Sequence, residues 1–293
     1  MKTISYKDRI TKKLVEEKIP SEGLLRWLYV NPIGKLALHS LVKRKAVSVA
    51  AGKYMNSKRS QKRIQPFIDL HQLDMSVYAN KTSTDYKTFN DFFYRKIDPT
   101  SRPIQEGIVS PADGKVLAFQ NLKDVDSFFV KGTQFTPQSF IQNNELAKQF
   151  EGGALFIVRL APTDYHRYHF PASGIARASR LIKGHLYSVS PLALKKSLKI
   201  FCQNKRELCT LETKTNGHIL IADVGATMVG SIFQTYTANS QVQKGQEKGY
   251  FAFGGSTLVL MFEKGRITFS PDLLENTKNG IETAVKMGET IGL

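Results

Sequence analysis

Residues 248–262 read KGYFAFGGSTLVLMF, a stretch in which two glycines separate an aromatic run from a continuous apolar run. Apart from its first two residues, STLVLMF (256–262) is wholly apolar, which is typical of a strand buried on both faces. The glycines before Ser256 allow a sharp turn and a close approach of other groups to the backbone. The stretch predicts a tight turn into a strand, with a serine at its start.

Similar runs alternate with glycine turns from Ile108 onward. Asn216-Gly217 separates two of them and indicates a hairpin. No strand–helix repeat of about 30 residues is present, which argues against a doubly wound parallel sheet. The sequence predicts an α+β fold whose β-rich part, residues 76–293, is mainly antiparallel. The other predicted strands are GKVLAF (114–119), ALFIVRLA (154–161), HILIADV (218–224) and TMVGSIF (227–233).

Short helices fit near 137–149 and 191–197, and an aromatic-rich helix fits 84–97. Two segments, SPADGKVLAF (110–119) and AVKMGETIGL (284–293), resemble the strand–turn segments of barrel-sandwich domains. They are too short to establish a repeat.

The composition is that of a folded protein without a disulfide framework. The chain has 293 residues, of which 41% are hydrophobic, and only two cysteines, Cys202 and Cys209. No apolar run approaches the roughly 20 residues of a membrane-spanning helix, and the charged N-terminus does not resemble a signal peptide. Neither a phosphate-binding glycine loop nor a zinc motif occurs, so we expect no metal and no externally supplied cofactor.

The positive charge is concentrated near the N-terminus. Residues 1–68 hold 16 Lys or Arg and 4 Asp or Glu, and no acidic residue lies between Gly23 and Ile68. Periodic apolar positions predict helices over 5–75, and we expect this basic region, 1–75, to be separate from the β-rich part.

Three interpretations of the basic region remain open at this point. Apolar residues interleaved with cations suit an anionic membrane surface. A basic face packed on the domain is the plainer alternative, and a nucleic-acid surface lacks a recognisable reading motif. The candidate docking residues are Leu24, Leu25, Trp27, Leu28, Lys43, Arg44 and Lys45.

Three segments carry residues that could perform chemistry. PTDYHRYHFPASG (162–174) holds His166 and His169, which could be an acid/base pair, a metal edge or a chance pair. VSPADGKV (109–116) holds Asp113, which could equally be an ordinary turn aspartate. Ser256 follows the glycine turn, and Leu258 rules out the GxSxG pattern of hydrolases.

An aspartate, a histidine and a serine together can activate the serine hydroxyl. The carboxylate orients the imidazole, the imidazole takes the hydroxyl proton, and the oxygen attacks a carbonyl. Whether the three converge cannot be read from their spacing.

These blocks resemble the phosphatidylserine decarboxylases, and the likeness extends over nearly the whole chain. Two departures are visible: Asn204-Lys205-Arg206-Glu207 stands where the family often has Asn-Glu-Arg-Val, and Gly254 replaces the commoner leucine. Neither changes a reacting atom. The matching blocks are FNDFFYRKI (89–97), SPADGKV (110–116), APTDYHRYHFPASG (161–174), KGHLYSV (183–189), VGATMVGSI (224–232) and KGYFAFGGSTLVLMF (248–262).

The resemblance implies a proenzyme that cleaves itself between Gly255 and Ser256 into fragments 1–255 and 256–293. Asp113 and His169 would activate Ser256, which would become a covalent pyruvoyl group, the electron sink for decarboxylation. His166 would handle the substrate and reprotonate the carbanion.

The resemblance also implies partners and a location. The substrate would be phosphatidylserine, converted to phosphatidylethanolamine at an anionic membrane surface, with no nucleic acid involved. The two fragments would form a heterodimer, and a homodimer of heterodimers is left open. We expect a peripheral protein on the cytoplasmic face of the cell membrane. The alternative function is a Ser-His-Asp hydrolase with Ser256 intact.

Overall fold

Strands dominate the part of the chain that the computed structural model describes, namely residues 5–17, 52–125, 135–185, 199–225, 232–252, 254 and 256–293. In chain order they are β1 Ser5–Asp8, β2 Leu14–Glu16, β3 Ile108–Val109, β4 Gly114–Phe119, β5 Ala154–Leu160, β6 Arg167–His169, β7 Gly174–Ala176, β8 Arg180–Ile182, β9 Arg206–Glu212, β10 His218–Gly225, β11 Ile232–Gln234, β12 Ser240–Val242, β13 Glu247–Phe251, β14 Ser256–Phe262, β15 Glu282–Val285 and β16 Thr290–Gly292.

Helices are short in the same ranges. The α-helices are α1 Ile64–His71, α2 Phe89–Phe93, α3 Pro137–Ile141, α4 Asn144–Lys148, α5 Lys199–Gln203 and α6 Pro271–Lys278. Turns of 3-10 helix cover Lys58–Arg63, Ser83–Asp85, Pro99–Ser101 and Leu122–Asp124. Within these ranges no helix combines the length and the hydropathy needed to cross a bilayer.

One large sheet organises the fold. Its strand order is β12-β7-β9-β10-β14-β5-β4-β15-β1-β2, and β8 also pairs with β9. Among the described strand pairs, β1–β15 is parallel and the others are antiparallel. The α+β architecture with mainly antiparallel pairing is therefore confirmed.

The strand β14 lies near the centre of this sheet. It pairs with β10 from Ser256–Gly225 to Phe262–Ile219, and with β5 over the same seven residues. All seven residues of β14 are buried. A strand covered on both faces needs apolar side chains in succession, which explains the uninterrupted run that follows Thr257.

The two faces of the large sheet are covered differently. Leu258, Leu260 and Phe262 pack with Tyr168 and Phe251 of a three-stranded sheet ordered β11-β13-β6. On the opposite face, a second core joins the side chains of β14 to those of α3, α4 and α5. The three-stranded sheet thus places β6 and the segment that leads to Ser256 over one face of the large sheet.

The two segments that resemble each other, 110–119 and 284–293, lie side by side. The strand β15 pairs with β4, and β16 pairs with β3, both antiparallel. The two segments are therefore paired with each other through β15 and β4, whereas β16 pairs with β3, just before the first segment.

The helical prediction for residues 5–75 is wrong at its start. Residues Ser5–Asp8 and Leu14–Glu16 form an antiparallel hairpin, and β1 adds to the large sheet beside β15. The segment has too few apolar residues for its periodicity to indicate strands. Ion pairs, such as Arg9–Asp272 at 2.9 Å, attach it to the rest of the protein instead. Helical structure is present at residues 52–55 and from Lys58 to His71.

The other helix predictions have mixed outcomes. The pair α3 and α4 confirms the helical expectation for 137–149. The expected helix over 84–97 is reduced to α2, which starts after Thr88, whose hydroxyl accepts the Asp91 amide proton. The expected helix at 191–197 and most of the expected strand at 227–233 lie outside the described residues.

Candidate active site

Ser256 is the first residue of β14 and is completely buried. Its backbone lies between Gly225 of β10 and Leu160 of β5. Gly254 has a φ of 136°, which only glycine adopts readily. The sharp entry into β14 is therefore confirmed, whereas Gly255, the other residue of the expected cleavage site, lies outside the described residues.

His166 contacts Ser256 directly. Its Nδ1 lies 3.3 Å from the Ser256 Oγ, and its Nε2 lies 3.0 Å from the carbonyl oxygen of Ala161. Because a carbonyl can only accept, Nε2 carries the proton and Nδ1 presents its lone pair to the hydroxyl. The ring stacks on Phe93 with centroids 3.9 Å apart, which fixes its plane.

The surroundings keep His166 neutral. Burial lowers the pKa of its imidazole to about 3, against the opposing attraction of the Asp164 carboxylate. Arg95 and Lys115 add positive charge that also disfavours the imidazolium. A buried, neutral imidazole with a free lone pair is a proton acceptor held ready beside Ser256.

His169 lies in the same segment but has different partners. Its Nδ1 is 2.9 Å from the Gly245 carbonyl oxygen, so this nitrogen carries the proton. Its Nε2 then accepts the Tyr165 hydroxyl at 3.0 Å. Burial lowers the pKa of His169 and raises that of Tyr165, so the imidazole is neutral and the phenol keeps its proton.

Asp113 is held by cations and a backbone amide. Arg102 donates two hydrogen bonds to its carboxylate, at 3.1 and 2.7 Å, and the Met287 amide donates a third at 2.8 Å. The Lys286 ammonium lies 3.7 Å away. The expected hydrogen bond between Asp113 and His169 is not formed.

The structure therefore places a histidine against Ser256, but the predicted Asp113–His169–Ser256 chain of hydrogen bonds is not formed. Asp113 and His169 lie on adjoining segments, because the His169 amide donates to the Pro111 carbonyl at 2.8 Å. The imidazole against Ser256, however, belongs to His166 and not to His169. The roles of these residues stay predictions.

Several residues of this site were missed in the sequence. Phe93, Arg102 and Tyr165 support His166, Asp113 and His169 respectively. Two of them lie in blocks already quoted for the resemblance, FNDFFYRKI and APTDYHRYHFPASG. The stacking of Phe93 on His166 could not be deduced, because it joins segments far apart in the chain. Tyr165 and His169 are only four residues apart, but their hydrogen bond depends on the local backbone conformation.

The predicted docking residues between Leu24 and Lys45 lie outside the described residues, as does 226–231 of the VGATMVGSI block. In the part of the chain that the structure describes, no group of three or more His, Cys, Asp or Glu side chains is arranged to hold a metal ion. The described site thus offers a buried hydroxyl and two neutral imidazoles as its reactive groups.

Comparison with known proteins identifies the family. The model of the family "Phosphatidylserine decarboxylase" matches residues 89–293. A phosphatidylserine decarboxylase proenzyme of Fusobacterium nucleatum subsp. nucleatum is 51% identical over 292 residues, which cover 99% of this chain and 97% of that protein. Proteins of the same name from Desulfitobacterium hafniense and Clostridium botulinum are 44% and 43% identical, each covering 99% of this chain and 98% of the relative. The chain belongs to the phosphatidylserine decarboxylase family, a family of carboxy-lyases.

Proposed function

We propose that this chain is a proenzyme that cleaves itself between Gly255 and Ser256 and then decarboxylates phosphatidylserine to phosphatidylethanolamine. Family membership supports the reaction and the proenzyme state. The observation that carries the proposal is the buried contact between residue 256 and His166, whose neutral imidazole has its lone-pair nitrogen 3.3 Å from the Ser256 hydroxyl.

Cleavage begins when the Ser256 hydroxyl loses its proton and its oxygen attacks the Gly255 carbonyl carbon. The peptide C–N bond breaks, the nitrogen takes up a proton, and an ester remains. Elimination then removes the Ser256 Cα proton and breaks the Cβ–O bond, so that Gly255 leaves as a carboxylate. Water replaces the freed nitrogen, which departs as ammonia, and residue 256 becomes a pyruvoyl group on the Thr257 amide.

The residues around Ser256 fit a pyruvoyl group at this position. The group is smaller than the serine it replaces, so the buried start of β14 accommodates it without new space. When joined to the substrate amine, an α-keto amide supplies the electron sink for the carbanion left by loss of CO2.

The proton transfers are divided between the two histidines in this proposal. Following the resemblance, Asp113 and His169 promote self-cleavage. His166, which lies against residue 256, accepts a proton from the substrate ammonium and returns it to Cα after CO2 has left. A second assignment, in which His166 also takes the Ser256 proton, is favoured by the same contact.

The hydrolase alternative has less support from the geometry. A Ser-His-Asp triad needs a carboxylate on the imidazole. Both His166 and His169 instead donate to backbone carbonyl oxygens, and Asp113 pairs with Arg102.

The two fragments would stay together as a heterodimer. Fragment 256–293 supplies β14 between β10 and β5, and β15 between β4 and β1. Separating it would remove two interior strands from the large sheet and expose buried apolar residues on both faces.

We also propose peripheral binding to the cytoplasmic face of the cell membrane. This part rests on the sequence of residues 23–63, where apolar side chains alternate with cations in the absence of acidic residues. A diacyl phospholipid does not leave a bilayer readily, so an enzyme that acts on it must bind the bilayer surface.

The intact mass of the purified protein tests the central proposal. We expect two fragments, 1–255 and 256–293, with a carbonyl on the smaller that reacts with a hydrazide. Ser256→Ala should yield one full-length chain, because no hydroxyl can attack Gly255, while Ser270→Ala should be processed normally. Normal cleavage of Ser256→Ala would overturn the proposal. A parent protein that stays uncleaved and has hydrolase activity would favour the alternative function.

A further inference from the structure

Arg95 is a buried cation behind His166 that the proposed chemistry does not use. It follows α2 and is 1% exposed, yet it forms no ion pair within the described residues. Its Nε has no hydrogen-bond partner there either. A buried guanidinium without a carboxylate is costly, so its position calls for a physical reason.

The guanidinium binds the segment that leads to His166. Its Nη2 donates to the carbonyl oxygen of Thr163 at 3.0 Å and lies 3.4 Å from that of Asp164. The same nitrogen donates to the Tyr78 hydroxyl at 2.9 Å, and the guanidinium lies over the Tyr78 ring. Its Nη1 donates to the carbonyl oxygen of Phe92 at 3.3 Å. Arg95 therefore ties the residues just before His166 to the helix that carries Phe93.

The loop of residues 161–165 also binds the His166 imidazole, at the Nε2 edge opposite Ser256. The Ala161 carbonyl accepts from His166 Nε2, and the Asp164 side chain accepts from the Ala161 amide at 2.8 Å. The Asp164 carboxylate thus accepts from Lys115 and from the Ala161 amide, and its backbone carbonyl lies 3.4 Å from the Arg95 guanidinium. A shift of this loop would move the acceptor that fixes the His166 tautomer.

We propose that Arg95 is a positioning residue for His166: its guanidinium fork joins the Phe92 carbonyl of α2 to the Thr163 carbonyl, so that the Ala161 carbonyl keeps the proton on Nε2 and the lone pair on Nδ1. The Arg95 charge acts in the same direction as burial, which is the main cause of the neutral imidazole. The functional meaning of this inference rests on the proposed role of His166. The charged groups around the imidazole are Arg95, Lys115 and Asp164, with Phe93 and Ser256 as its uncharged neighbours. Of the two cations, Lys115 is paired with the Asp164 carboxylate, whereas Arg95 is not.

The test uses Ser256→Ala protein, a single chain in which His166 can be observed without processing. Nitrogen chemical shifts of ¹⁵N-labelled histidine report the tautomer at pH 7 and the protonation midpoint on acidification. We expect the parent to show one fixed tautomer with the proton on Nε2. Arg95→Met should give an averaged tautomer and a midpoint higher by about one pH unit, because loss of a nearby cation favours the imidazolium.

Arg95→Lys separates the two effects, since it keeps the charge and loses the fork. We expect the parent midpoint with an averaged tautomer, and decarboxylation by the processed Arg95→Lys enzyme reduced about tenfold or more. Arg206→Met is the matched control, because Arg206 is also a buried guanidinium bound to backbone carbonyl oxygens, those of Phe140 and Cys202. It should leave both His166 readouts unchanged.

A parent-like tautomer and midpoint in Arg95→Met would overturn the inference, as would an unchanged tautomer in Arg95→Lys should the methionine variant not fold. If Arg206→Met changed the His166 tautomer and midpoint as much as Arg95→Met does, the effect of Arg95 would be general stabilisation and the inference would be wrong. The tautomer and the protonation midpoint are both measured without self-cleavage, so the inference can fail while the proposed function stands.

Discussion

The two imidazoles of the segment HRYH, three residues apart, have different chemical surroundings. His166 directs its unprotonated nitrogen at Ser256, and His169 directs its own at the Tyr165 hydroxyl. Between them, Arg167 faces another way and pairs with Glu247 at 2.9 Å. The two histidines can therefore serve two steps without competing for one proton.

Single substitutions should separate these steps. His166→Ala should still give two fragments, but the processed enzyme should decarboxylate at least about 100-fold more slowly, because the acid/base group beside residue 256 is lost. His169→Ala and Asp113→Asn should block or slow processing. Fragment masses and CO2 release measure the two steps separately.

The reverse pattern would contradict this assignment. If His166→Ala remains a single chain while His169→Ala is processed normally, the first proton transfer belongs to His166. His218→Ala is a suitable control, because that histidine lies at the far end of β10 from the residue that pairs with Ser256.

At this scale the sequence predicts residue types better than contacts. Ser256, His166, His169 and Asp113 could be named from their blocks, and the glycine turn before β14 indicated where the serine would lie. Which imidazole touches the serine depends on the Ala161 and Gly245 carbonyl oxygens, and backbone acceptors leave no trace in side-chain composition.

At the scale of elements, the N-terminal hairpin is joined to the C-terminal part of the chain by charge. The Arg159 guanidinium on β5 donates to Glu17 just after β2, at 2.9 and 2.7 Å. It also donates to Glu282 of β15, at 2.9 and 2.6 Å. One buried cation on β5 thus bridges the N-terminal hairpin and the C-terminal strand β15.

Removing that cation should destabilise the fold strongly. Arg159→Met would leave two carboxylates, Glu17 and Glu282, buried together without their partner. We expect the free energy of unfolding in urea to fall by about 3–5 kcal/mol. The measurement belongs in Ser256→Ala protein, where unfolding involves one chain.

A surface ion pair provides the comparison. Arg177 is half-exposed and pairs with Glu212 at 2.6 Å. Changing Arg177 to methionine should lower the free energy of unfolding much less than Arg159→Met does, because solvent screens an exposed ion pair. If Arg159→Met and Arg177→Met lowered the free energy of unfolding equally, the buried ion pairs of Arg159 would contribute no more than a surface pair.

The elements differ in how well the sequence predicts them. Strands covered on both faces, such as β5 and β14, have mostly apolar sequences, and their predicted ends lie within a residue of the observed ones. The hairpin of β1 and β2 was missed because SYKD and LVE have too few apolar residues for either period to show. Ion pairs with distant residues hold it, and these are invisible locally.

At the scale of the whole molecule, membrane binding is the property that the sequence of residues 23–63 predicts. Changing Leu24, Leu25 and Trp27 to serine should weaken binding to phosphatidylglycerol vesicles most at high salt. Cation attraction, at most about 1 kcal/mol per residue, is screened by salt, whereas apolar insertion is not. Vesicle sedimentation at low and high salt measures both parts.

Self-cleavage provides the internal control for that variant, because an intramolecular reaction at Ser256 should proceed unchanged. If the triple variant sediments with vesicles as well as the parent at high salt, residues 24–27 do not insert. The basic region is then better explained as a face packed on the rest of the protein.

If the chain cleaves itself as proposed, the central position of β14 has a consequence for refolding. β14 lies between β10 and β5, so it would be placed there while the chain is still continuous, and cleavage would follow. Once the mature protein is denatured, the same sheet has to be rebuilt from two separate molecules that must first meet. Renaturation then depends on concentration, and the native arrangement of the mature enzyme persists chiefly because its unfolding is slow.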